Sequence, residues 1–485
     1  MTYPELAASA SSWASHHDPV FPAFHPRPAQ GWINDPNGIS YINGRYHVFF
    51  QYNPDSARHA KICWGHISSP DLVRWEEHPV ALRPQPGGPD EYGCWSGVVT
   101  DDGGVPTAVY SAVRSDGGHS QVSVARGSAD LVEWNQDGHI AATMPSDGLV
   151  TAVRDPFIFR FKGRRYAMQG AGLANGHAAV LLYTVDDMMD WKYQGIWLTT
   201  ENPVAARFAP AEIWECPQLV RVPRVSSGAP SGTASGDSSS DGDAWVMMFS
   251  LWLSGDEHEH ANGVGHLIGA LVEDPATGLP VFEPRTGGKS DLGRDFYAPQ
   301  IVALEDRALL WGWANEGFGR GGVRGRSQES IDAAGWAGVL TFPRELSVID
   351  DTLVVSPAPE VDAYRGRSLA KAEGGTLVLP RAAEVEVTAG QSAPVGSGEV
   401  RLVLVGSDGE RQVVFAESLD GAASTPGAST DGPSLRIFVD ASVVEVYRSN
   451  GVATTLRAYP QLGEEWHLEL PGRTEADVWE LAWPE

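Results

Sequence analysis

The chain has 485 residues, of which 42% are hydrophobic and 20% are charged, a composition typical of a folded protein with two or three domains. Its 62 acidic and 35 basic residues give a formal net charge of −27, which disfavours nucleic acid and anionic membranes as partners because both would be repelled. Three cysteines without CxxC spacing indicate neither a disulfide framework nor a zinc site. Because no apolar signal segment or membrane-spanning run is visible, we expect the protein to be cytoplasmic.

Short runs rich in β-branched and aromatic residues, bounded by Gly, Pro, Asp and Asn, follow one another and predict an all-β protein. Five of these runs resemble one another, with central residues Phe50, Tyr110, Met168, Phe249 and Trp311. The spacings are 60, 58, 81 and 62 residues, and the longest interval contains an 18-residue stretch of small and polar residues, 226–243. Such a stretch cannot bury enough apolar surface to order itself and predicts a flexible surface loop. Without it the interval is 63 residues, so the period is nearly constant.

A second recurring feature is an acidic turn followed by a tryptophan. Trp75, Trp134 and Trp191 end three such turns and lie 59 and 57 residues apart. β units repeated at this period predict the blades of a five-bladed β-propeller, which we place over residues 1–350. Beyond it apolar and polar residues alternate, which predicts a C-terminal β-sandwich over 351–485. A sandwich throughout, with chance similarity among its strands, is the alternative that the repeat alone leaves open.

Three short motifs each carry one carboxylate: Asp35 in Asn-Asp-Pro, Asp155 in Arg-Asp-Pro and Glu215 in Glu-Cys-Pro. They precede the central residues of their runs by 15, 13 and 34 positions, the last becoming 16 once the polar stretch is removed. Ser96 and Phe296 precede theirs by 14 and 15. In a propeller the strand at this place lines the axis, so we expect these positions to meet at one end of the channel. Cleavage of a glycosidic bond needs two such groups, an acid for the leaving oxygen and a carboxylate for the sugar carbon.

Each motif alone is ordinary, since Asp-Pro-Asn-Gly is a common turn and Arg-Asp-Pro is typical of a surface ion pair. Two further clusters carry ligand-type residues: 256–260 has His and acidic side chains, and the arginines of 320–326 suit a phosphate. The first lacks partners at the usual metal-site spacing, and we interpret both as solvated loops. No metal ion or cofactor is expected.

The segments around these motifs resemble the invertase family of glycoside hydrolases, family 32, whose members act on β-fructofuranosides. The matching segments extend from residue 31 to 447 and include Phe-Gln-Tyr-Asn-Pro at 50–54, Trp-Gly-His at 64–66, Arg-Asp-Phe-Tyr-Ala at 294–298, Phe-Pro-Arg-Glu-Leu at 342–346 and Leu-Arg-Ile-Phe-Val-Asp at 435–440. The resemblance implies a five-bladed propeller followed by a β-sandwich. It also implies a retaining β-fructofuranosidase whose partner is a small sugar, sucrose or a short fructo-oligosaccharide.

By this resemblance Asp35 is the nucleophile that forms a covalent fructosyl intermediate, Glu215 is the general acid and base, and Asp155 holds two fructose hydroxyls. Arg154 orders the carboxylates. The residues expected to bind the fructose unit are Trp32, Ile33, Asn34, Gln51, Trp64, Trp95, Ser96, Arg154 and Trp313. Ile33 stands where the family usually has Met, and Val98 where it often has Ser, so one polar contact beside Ser96 is expected to be missing.

Chemistry sets two conditions on these roles. The general acid must stay protonated near neutral pH, and Asp35 must stay ionised, for which the backbone N–H groups of turn 34–38 are candidate donors. Three other functions remain open: a fructosyltransferase, a sucrose-6-phosphate hydrolase and a non-catalytic sugar-binding propeller. The sequence leaves open whether the protein is a monomer or a homodimer.

Overall fold

The computed structural model describes residues 16–115, 119–146, 148–225, 243–255, 261–316, 323–388, 398–419 and 434–484. Within these ranges the chain is almost entirely β, as predicted. Of the predicted loop 226–243 only Asp243 is described, and it begins a strand, while the cluster 256–260 lies outside the described residues. No helix in these ranges has the length and apolar character needed to cross a membrane.

The first four groups of strands are antiparallel and follow chain order. The first two contain β1 (Gly31–Ile42), β2 (Arg45–Asn53), β3 (Cys63–Ser69) and β4 (Glu76–Glu77), then β5 (Gly93–Asp102), β6 (Val105–Val113), β7 (Gln121–Gly127) and β8 (Trp134–Ala142). The next two contain β9 (Val150–Phe161), β10 (Arg164–Leu173), β11 (Ala178–Asp187) and β12 (Asp190–Thr199), then β13 (Ile213–Pro223), β14 (Asp243–Trp252), β15 (Ala261–Glu273) and β16 (Pro280–Lys289). Helix α1 (Pro203–Phe208) precedes β13, and pairing of Gly172 with Ile213 joins the third and fourth groups into one hydrogen-bonded sheet.

The fifth group is less regular. It contains β17 (Phe296–Ala303), β18 (Ala308–Ala314), helix α2 (Gln328–Ala334), β19 (Trp336–Ala337), β20 (Val339–Leu340), β21 (Arg344–Ile349) and β22 (Thr352–Pro357). β19 pairs in parallel with β1, so the chain returns to the first group before it completes the fifth. β22 pairs with β21 as far as Pro357, so this group continues past residue 350, where the sequence placed its end.

A 3-10 helix (Pro359–Tyr364) occupies the predicted linker and leads into the last eight described strands. These are β23 (Arg365–Leu379), β24 (Ala382–Thr388), β25 (Glu399–Val405), β26 (Arg411–Ser418), β27 (Leu435–Asp440), β28 (Val443–Arg448), β29 (Ala453–Arg457) and β30 (Glu465–Leu481). The long strand β30 pairs with β25 through its first part, with β24 through its second, and with β23 along most of its length.

The five resembling runs of the sequence form β2, β6, β10, β14 and β18, the second strand of each of the first five groups. Phe50, Tyr110, Met168 and Trp311 occupy one shared place in the pairing with the preceding strand. In the fourth group that place belongs to Met248, which pairs with Gln218, and not to Phe249. The sequence alignment was therefore wrong by one residue there, because the inserted stretch hides the true length of the interval.

The first strand of each of these groups breaks its register at the same height. Two of its residues face one residue of the neighbouring strand, and these pairs are 34–35, 95–96, 155–156, 216–217 and 298–299. Such β-bulges turn side chains out of the regular alternation and are frequent beside active sites. Asp155, Cys216 and Ala298 adopt left-handed backbone there, with φ of 58°, 47° and 49°. The predicted common position therefore lies at or just before a common bulge: Asp35, Ser96 and Asp155 are inside it, Glu215 directly precedes it, and Phe296 lies two residues before it.

The three acidic turns share one local structure. Asp71, Asp130 and Asp187 each accept a hydrogen bond on Oδ1 from the backbone N–H two residues later, which is the Asx-turn favoured by aspartate. Trp134 and Trp191 then donate their indole N–H to the carbonyl three residues before them. The repeated sequence encodes a repeated turn.

A buried polar joint connects the last eight strands to the others. His25 contacts Asp440 at 2.9 Å and Glu445 at 2.8 Å, and Arg344 donates to Asp291 at 2.7 Å and also to Glu445. All five side chains are at most 1% exposed. The main apolar core also includes residues on both sides of this joint, so the two parts of the molecule pack as one body.

Candidate active site

The bulges surround a cavity of about 540 Å³, and the three predicted carboxylates all line it. Asp35 comes from the bulge of β1, Asp155 from the bulge of β9, and Glu215 from the position directly before the bulge of β13. Three strands, whose acidic residues lie 120 and 60 positions apart along the chain, thus each deliver one acidic side chain to one opening. The convergence that the chemistry requires is present.

The carboxylate of Asp35 is held by side chains on both oxygens. Asn34 Nδ2 donates to Oδ1 at 3.1 Å and Gln51 Nε2 donates to Oδ2 at 3.0 Å. The Ser96 hydroxyl also donates to Oδ2, and the Cys216 thiol does so at 3.4 Å. Side chains therefore supply the donors that the sequence analysis sought in the backbone of turn 34–38. Such donors favour the ionised form and fix the direction in which the carboxylate points.

Asp155 is positioned through the backbone on either side of it. Its own N–H donates to Ser111 Oγ at 2.7 Å, and its Oδ2 accepts the backbone N–H of Cys216 at 2.8 Å. Its φ of 58° is a left-handed conformation that aspartate and asparagine tolerate better than most residues. The strained turn holds a side chain only 5% exposed at the cavity wall.

Both carboxylate oxygens of Glu215 have a donor. Arg154 Nη1 donates to Oε1 at 2.8 Å, and the Tyr297 hydroxyl donates to Oε2 at 2.7 Å. Arg154, Glu215 and Tyr297 occupy the same place, directly before the bulges of β9, β13 and β17. The sequence analysis assigned that place in β17 to Phe296, which is buried at 1% exposure. Counting from the bulge would have selected Tyr297.

Burial and mutual repulsion hold protons on this cluster. Burial, opposed by the Ser96 hydrogen bond and reinforced by the charge of Glu215, raises the pKa of Asp35 to about 6. Burial together with the charges of Glu215 and Asp35 raises the pKa of Asp155 to about 7, although Arg154 opposes the shift. Carboxylates close to one another disfavour each other's ionisation, which is the direction of both shifts.

Of the residues expected to bind substrate, six line the cavity: Trp32, Asn34, Gln51, Trp95, Arg154 and Trp313. Ile33 and Trp64 are fully buried in the core, which corrects the expectation that they contact the sugar. Ile33 belongs to the main apolar core although it directly precedes the bulge of β1, and Trp64 donates its indole N–H to the Trp95 carbonyl at 3.0 Å. Ser96 is 2% exposed and does not line the cavity; its hydroxyl donates a hydrogen bond to Asp35.

The rim of the cavity contains residues that the motifs did not indicate. They are Arg58, His59 and Ala60 after β2, Trp252 at the end of β14, Asn315 after β18 and Gln328 at the start of α2. Residues 58–60 lie between β2 and β3 within the first group, Trp252 is the last residue of β14 and Gln328 begins α2, and no motif marks these positions. Arg58 forms an ion pair with Asp332 of α2, which ties the two sides of the rim together.

Several polar atoms of the cavity residues lack a partner among the described residues. They are the indole nitrogens of Trp95 and Trp313, Nε of Arg154 and Oε1 of Gln51. Buried polar atoms are nearly always hydrogen-bonded, so these atoms indicate a ligand or solvent with several donors and acceptors. The arrangement suits a polyhydroxylated ligand beside a cluster of carboxylates.

Of the arginines suggested for a phosphate, the two that the structure describes, Arg324 and Arg326, do not line the cavity. Arg324 pairs with Glu464 at 2.8 Å, and Arg326 pairs with Glu316 at 3.4 Å and lies over the Trp336 ring. Residues 320–322 lie outside the described residues. The described part of the cluster is committed to structural ion pairs.

Residues 25–357 match the family model "Glycosyl hydrolases family 32 N-terminal domain". The chain is 32% identical over 474 residues to the raffinose invertase of Escherichia coli, covering 91% of this chain and 90% of that protein. It is 28% identical over 506 residues to a sucrose-6-phosphate hydrolase of Escherichia coli, covering 97% and 96%. The fold resembles the solved structure of a family 32 β-fructofuranosidase from Bombyx mori, with a TM-score of 0.74, 23% identity and coverage of 98% and 96%.

Proposed function

Because the chain belongs to glycosyl hydrolase family 32 and is a glycoside hydrolase, we propose that it is a retaining β-fructofuranosidase. Its substrates are sucrose and short fructo-oligosaccharides, from which it removes the terminal non-reducing β-D-fructofuranosyl unit. The observation that carries the proposal is the geometry of the carboxylates. A carboxylate fixed by side-chain donors and a second one held by Arg154 and Tyr297 share one cavity.

The reaction follows from those two positions. Asp35 attacks the anomeric carbon of fructose, while Glu215 gives its proton to the departing glycosidic oxygen, so one C–O bond forms as another breaks. Water then enters, Glu215 takes its proton, and the hydroxyl displaces Asp35 from the anomeric carbon. Inversion at each step yields overall retention of configuration.

The neighbouring side chains support this cycle. Asp155 accepts hydrogen bonds from two fructose hydroxyls, which strengthen as positive charge develops on the ring. Arg154 and Tyr297 fix the orientation of Glu215, both when it protonates the leaving oxygen and when it accepts the proton of water. The unpartnered polar atoms of Trp95, Trp313 and Gln51 are available to sugar hydroxyls.

We infer a neutral rather than a phosphorylated substrate from the charges of the wall. Both arginines that line the cavity are already ion-paired, Arg154 with Glu215 and Arg58 with Asp332, and the whole chain has a net charge of −27. An anionic leaving group would have to displace Asp332 from Arg58. The similarity to a raffinose invertase agrees with a neutral substrate, whereas the similarity to a sucrose-6-phosphate hydrolase supports the rival.

We further propose an architecture from the strand groups and a cellular location from the cysteines. The first five groups of strands are the blades of a propeller that ends at Pro357, and the last eight strands form a β-sandwich. All three cysteines are buried free thiols, which suits the reducing cytoplasm.

The test is a side-by-side hydrolysis of sucrose, sucrose 6-phosphate, kestose, inulin and levan, with proton NMR of the first fructose released. We expect the largest kcat/KM on sucrose or kestose and initial release of the β-anomer. A preference for sucrose 6-phosphate would overturn the choice of substrate, and initial α-anomer would overturn retention. Kestose-type products dominating at high sucrose would identify a fructosyltransferase instead.

A further inference from the structure

The wall of the cavity continues into a buried carboxylate that no step of the reaction uses. After β18 the chain passes through Asn315, which lines the cavity, to Glu316, which is 1% exposed. Glu316 Oε2 accepts the backbone N–H of Gly338 at 2.7 Å. Arg457, the last residue of β29, approaches Oε1 at 3.5 Å, and the Tyr459 hydroxyl donates to the same oxygen. Residues of the C-terminal strands thus hold a carboxylate one position from the wall.

Gly338 transmits this hold to the catalytic strand. Its N–H is bound by Glu316, and its carbonyl accepts a hydrogen bond from Arg27 Nη1 at 2.5 Å. Its φ is +72°, and a Cβ added there would lie 1.9 Å from the Ile33 carbonyl oxygen and 2.8 Å from Trp313 Nε1. The backbone of Gly338 therefore packs directly between the strand that carries Asp35 and a tryptophan of the cavity wall.

Arg457 reaches the wall by a second route. Its backbone N–H donates to Asp295 Oδ2 at 2.7 Å, two residues before Tyr297, which holds Glu215. Its Nη1 donates to the Ala314 carbonyl at 3.2 Å, between Trp313 and Asn315. One fully buried arginine of the C-terminal part is thus hydrogen-bonded to both segments on this side of the cavity, the one that leads to Tyr297 and the one that joins Trp313 to Asn315.

We propose that Glu316, Arg457 and Tyr459 are positioning residues for the hydrolase reaction, through which the C-terminal strands set the shape of the active-site wall. They touch neither the sugar nor the reacting atoms. Their effect passes through Gly338 to Asp35 and Trp313, and through Asp295 to Tyr297 and Glu215. The inference deepens the proposed function and rests on it for its kinetic readout.

The molecule contains a matched control. Tyr447 also donates its hydroxyl to a buried glutamate, Glu445, which is bound by a fully buried arginine, Arg344. Tyr447 and Tyr459 are 4% and 6% exposed. The partners of Glu445 are His25, Arg344, Tyr447 and the N–H of Phe342, whereas the residues around Glu316 contact the wall. Removing either hydroxyl deletes the same kind of bond from the same kind of network.

The experiment compares Tyr459→Phe with Tyr447→Phe in the full chain. We expect Tyr459→Phe to lower kcat/KM for sucrose at least about fivefold, mainly through KM, because displacement of a wall by a fraction of an ångström weakens sugar contacts. Tyr447→Phe should stay within about twofold of wild type while losing a similar amount of thermal stability. Amide hydrogen exchange should accelerate in 313–316 and 337–339 only in Tyr459→Phe.

Wild-type kinetics and exchange in folded Tyr459→Phe would overturn the inference, and so would equal kinetic losses in both variants. Glu316→Gln, which removes the charge and keeps the shape, is the second variant and should show the same KM effect and the same local exchange. Should the wild-type enzyme fail to cleave any fructoside, the proposed function fails by itself. The exchange comparison still decides whether the C-terminal strands hold the wall.

Discussion

In the cavity, three carboxylates, those of Asp35, Asp155 and Glu215, have Arg154 beside them, whereas in the buried polar joint the three carboxylates of Asp291, Asp440 and Glu445 contact both Arg344 and His25. Both clusters are buried, and burial alone raises the pKa of a carboxyl in either place. In the joint, the charge of Arg344 and the hydrogen bond from His25 overcome burial and lower the pKa of Glu445 to about 2.

In the cavity the cations are too few, and the pKa values of Asp35 and Asp155 rise to about 6 and about 7. We infer that the same residue types serve stability where both an arginine and a histidine contact the carboxylates, and reactivity where one arginine does. Substitutions on the two sides should have opposite consequences. Loss of a partner in the joint should destabilise the fold, whereas loss of a charge in the cavity should inactivate the protein without destabilising it.

Asp35→Asn should lower kcat on sucrose at least about 10³-fold, because an amide cannot form the fructosyl intermediate. Steady-state kinetics measure the loss, and the melting temperature should not fall. Added azide gives a sharper check in Asp35→Ala, where it can occupy the vacated space and yield a fructosyl azide. Near-wild-type turnover of folded Asp35→Asn would remove this residue from the mechanism.

Glu215→Gln should also lose about 10³-fold on sucrose, because its amide has no proton to give to the leaving oxygen. The loss in formation of the intermediate should nearly vanish with an aryl fructofuranoside whose phenol leaves without protonation. A burst of phenol release in stopped-flow absorbance measures this step. Equal losses on sucrose and on the activated substrate would contradict the assignment as general acid.

Arg344→Met tests the contribution of the buried polar joint to stability. The change leaves Asp291 and Glu445 buried without their arginine, and breaking such a pair costs roughly 3–5 kcal/mol of unfolding free energy. Urea unfolding measures it, and kcat per folded molecule should change little. Arg367→Met is the control, since its pair with Glu480 is exposed and should cost under about 1 kcal/mol. Equal costs for the two variants would show that the joint adds nothing to stability.

The period of the sequence predicted the second strand of each of the first five groups and a common position on the strand before it. This is because β-branched and aromatic runs must alternate with turns at fixed intervals. The register of the fourth group was wrong by one residue, since an insertion of unknown path removes the reference for counting. The Asp and Glu motifs were selected because they precede the central residues by similar distances and because the segments around them resemble the family.

The rim was not predictable in the same way. Arg58 lies between β2 and β3, Trp252 ends β14, Asn315 follows β18 and Gln328 begins α2, so their meeting depends on tertiary packing. Tyr297 is different, because the sequence analysis found its segment and selected Phe296, one residue too early. Counting from the bulge would have selected Tyr297.

Asp155→Asn sharpens the comparison from the stability side. The folded pKa of Asp155 is raised above its ordinary value to about 7, so its contribution to stability is complete at low pH and is lost as pH rises through about 7. Asn cannot ionise, tolerates the left-handed φ and still accepts the Cys216 N–H. We expect the variant to be more stable than wild type at pH 8 by roughly 1–3 kcal/mol and no more stable at pH 4. Urea unfolding at the two pH values measures this difference, and a loss of stability at pH 8 would contradict it.

Ser96→Ala has the smallest expected effect. It tests whether a hydroxyl donor keeps Asp35 ionised in a cavity with few cations. Since kcat/KM requires ionised Asp35, it should rise with pH through about 6 in the wild-type enzyme. The Ser96 hydroxyl lowers the pKa of Asp35, so its removal should move this acidic limb to higher pH and reduce activity more at acidic than at alkaline pH. Ser123→Ala is the matched control, because that buried serine donates to the His139 carbonyl and should leave the profile unchanged. A limb that stays in place or moves to lower pH would mean that Gln51, Asn34 and Cys216 alone hold Asp35 in its ionised form.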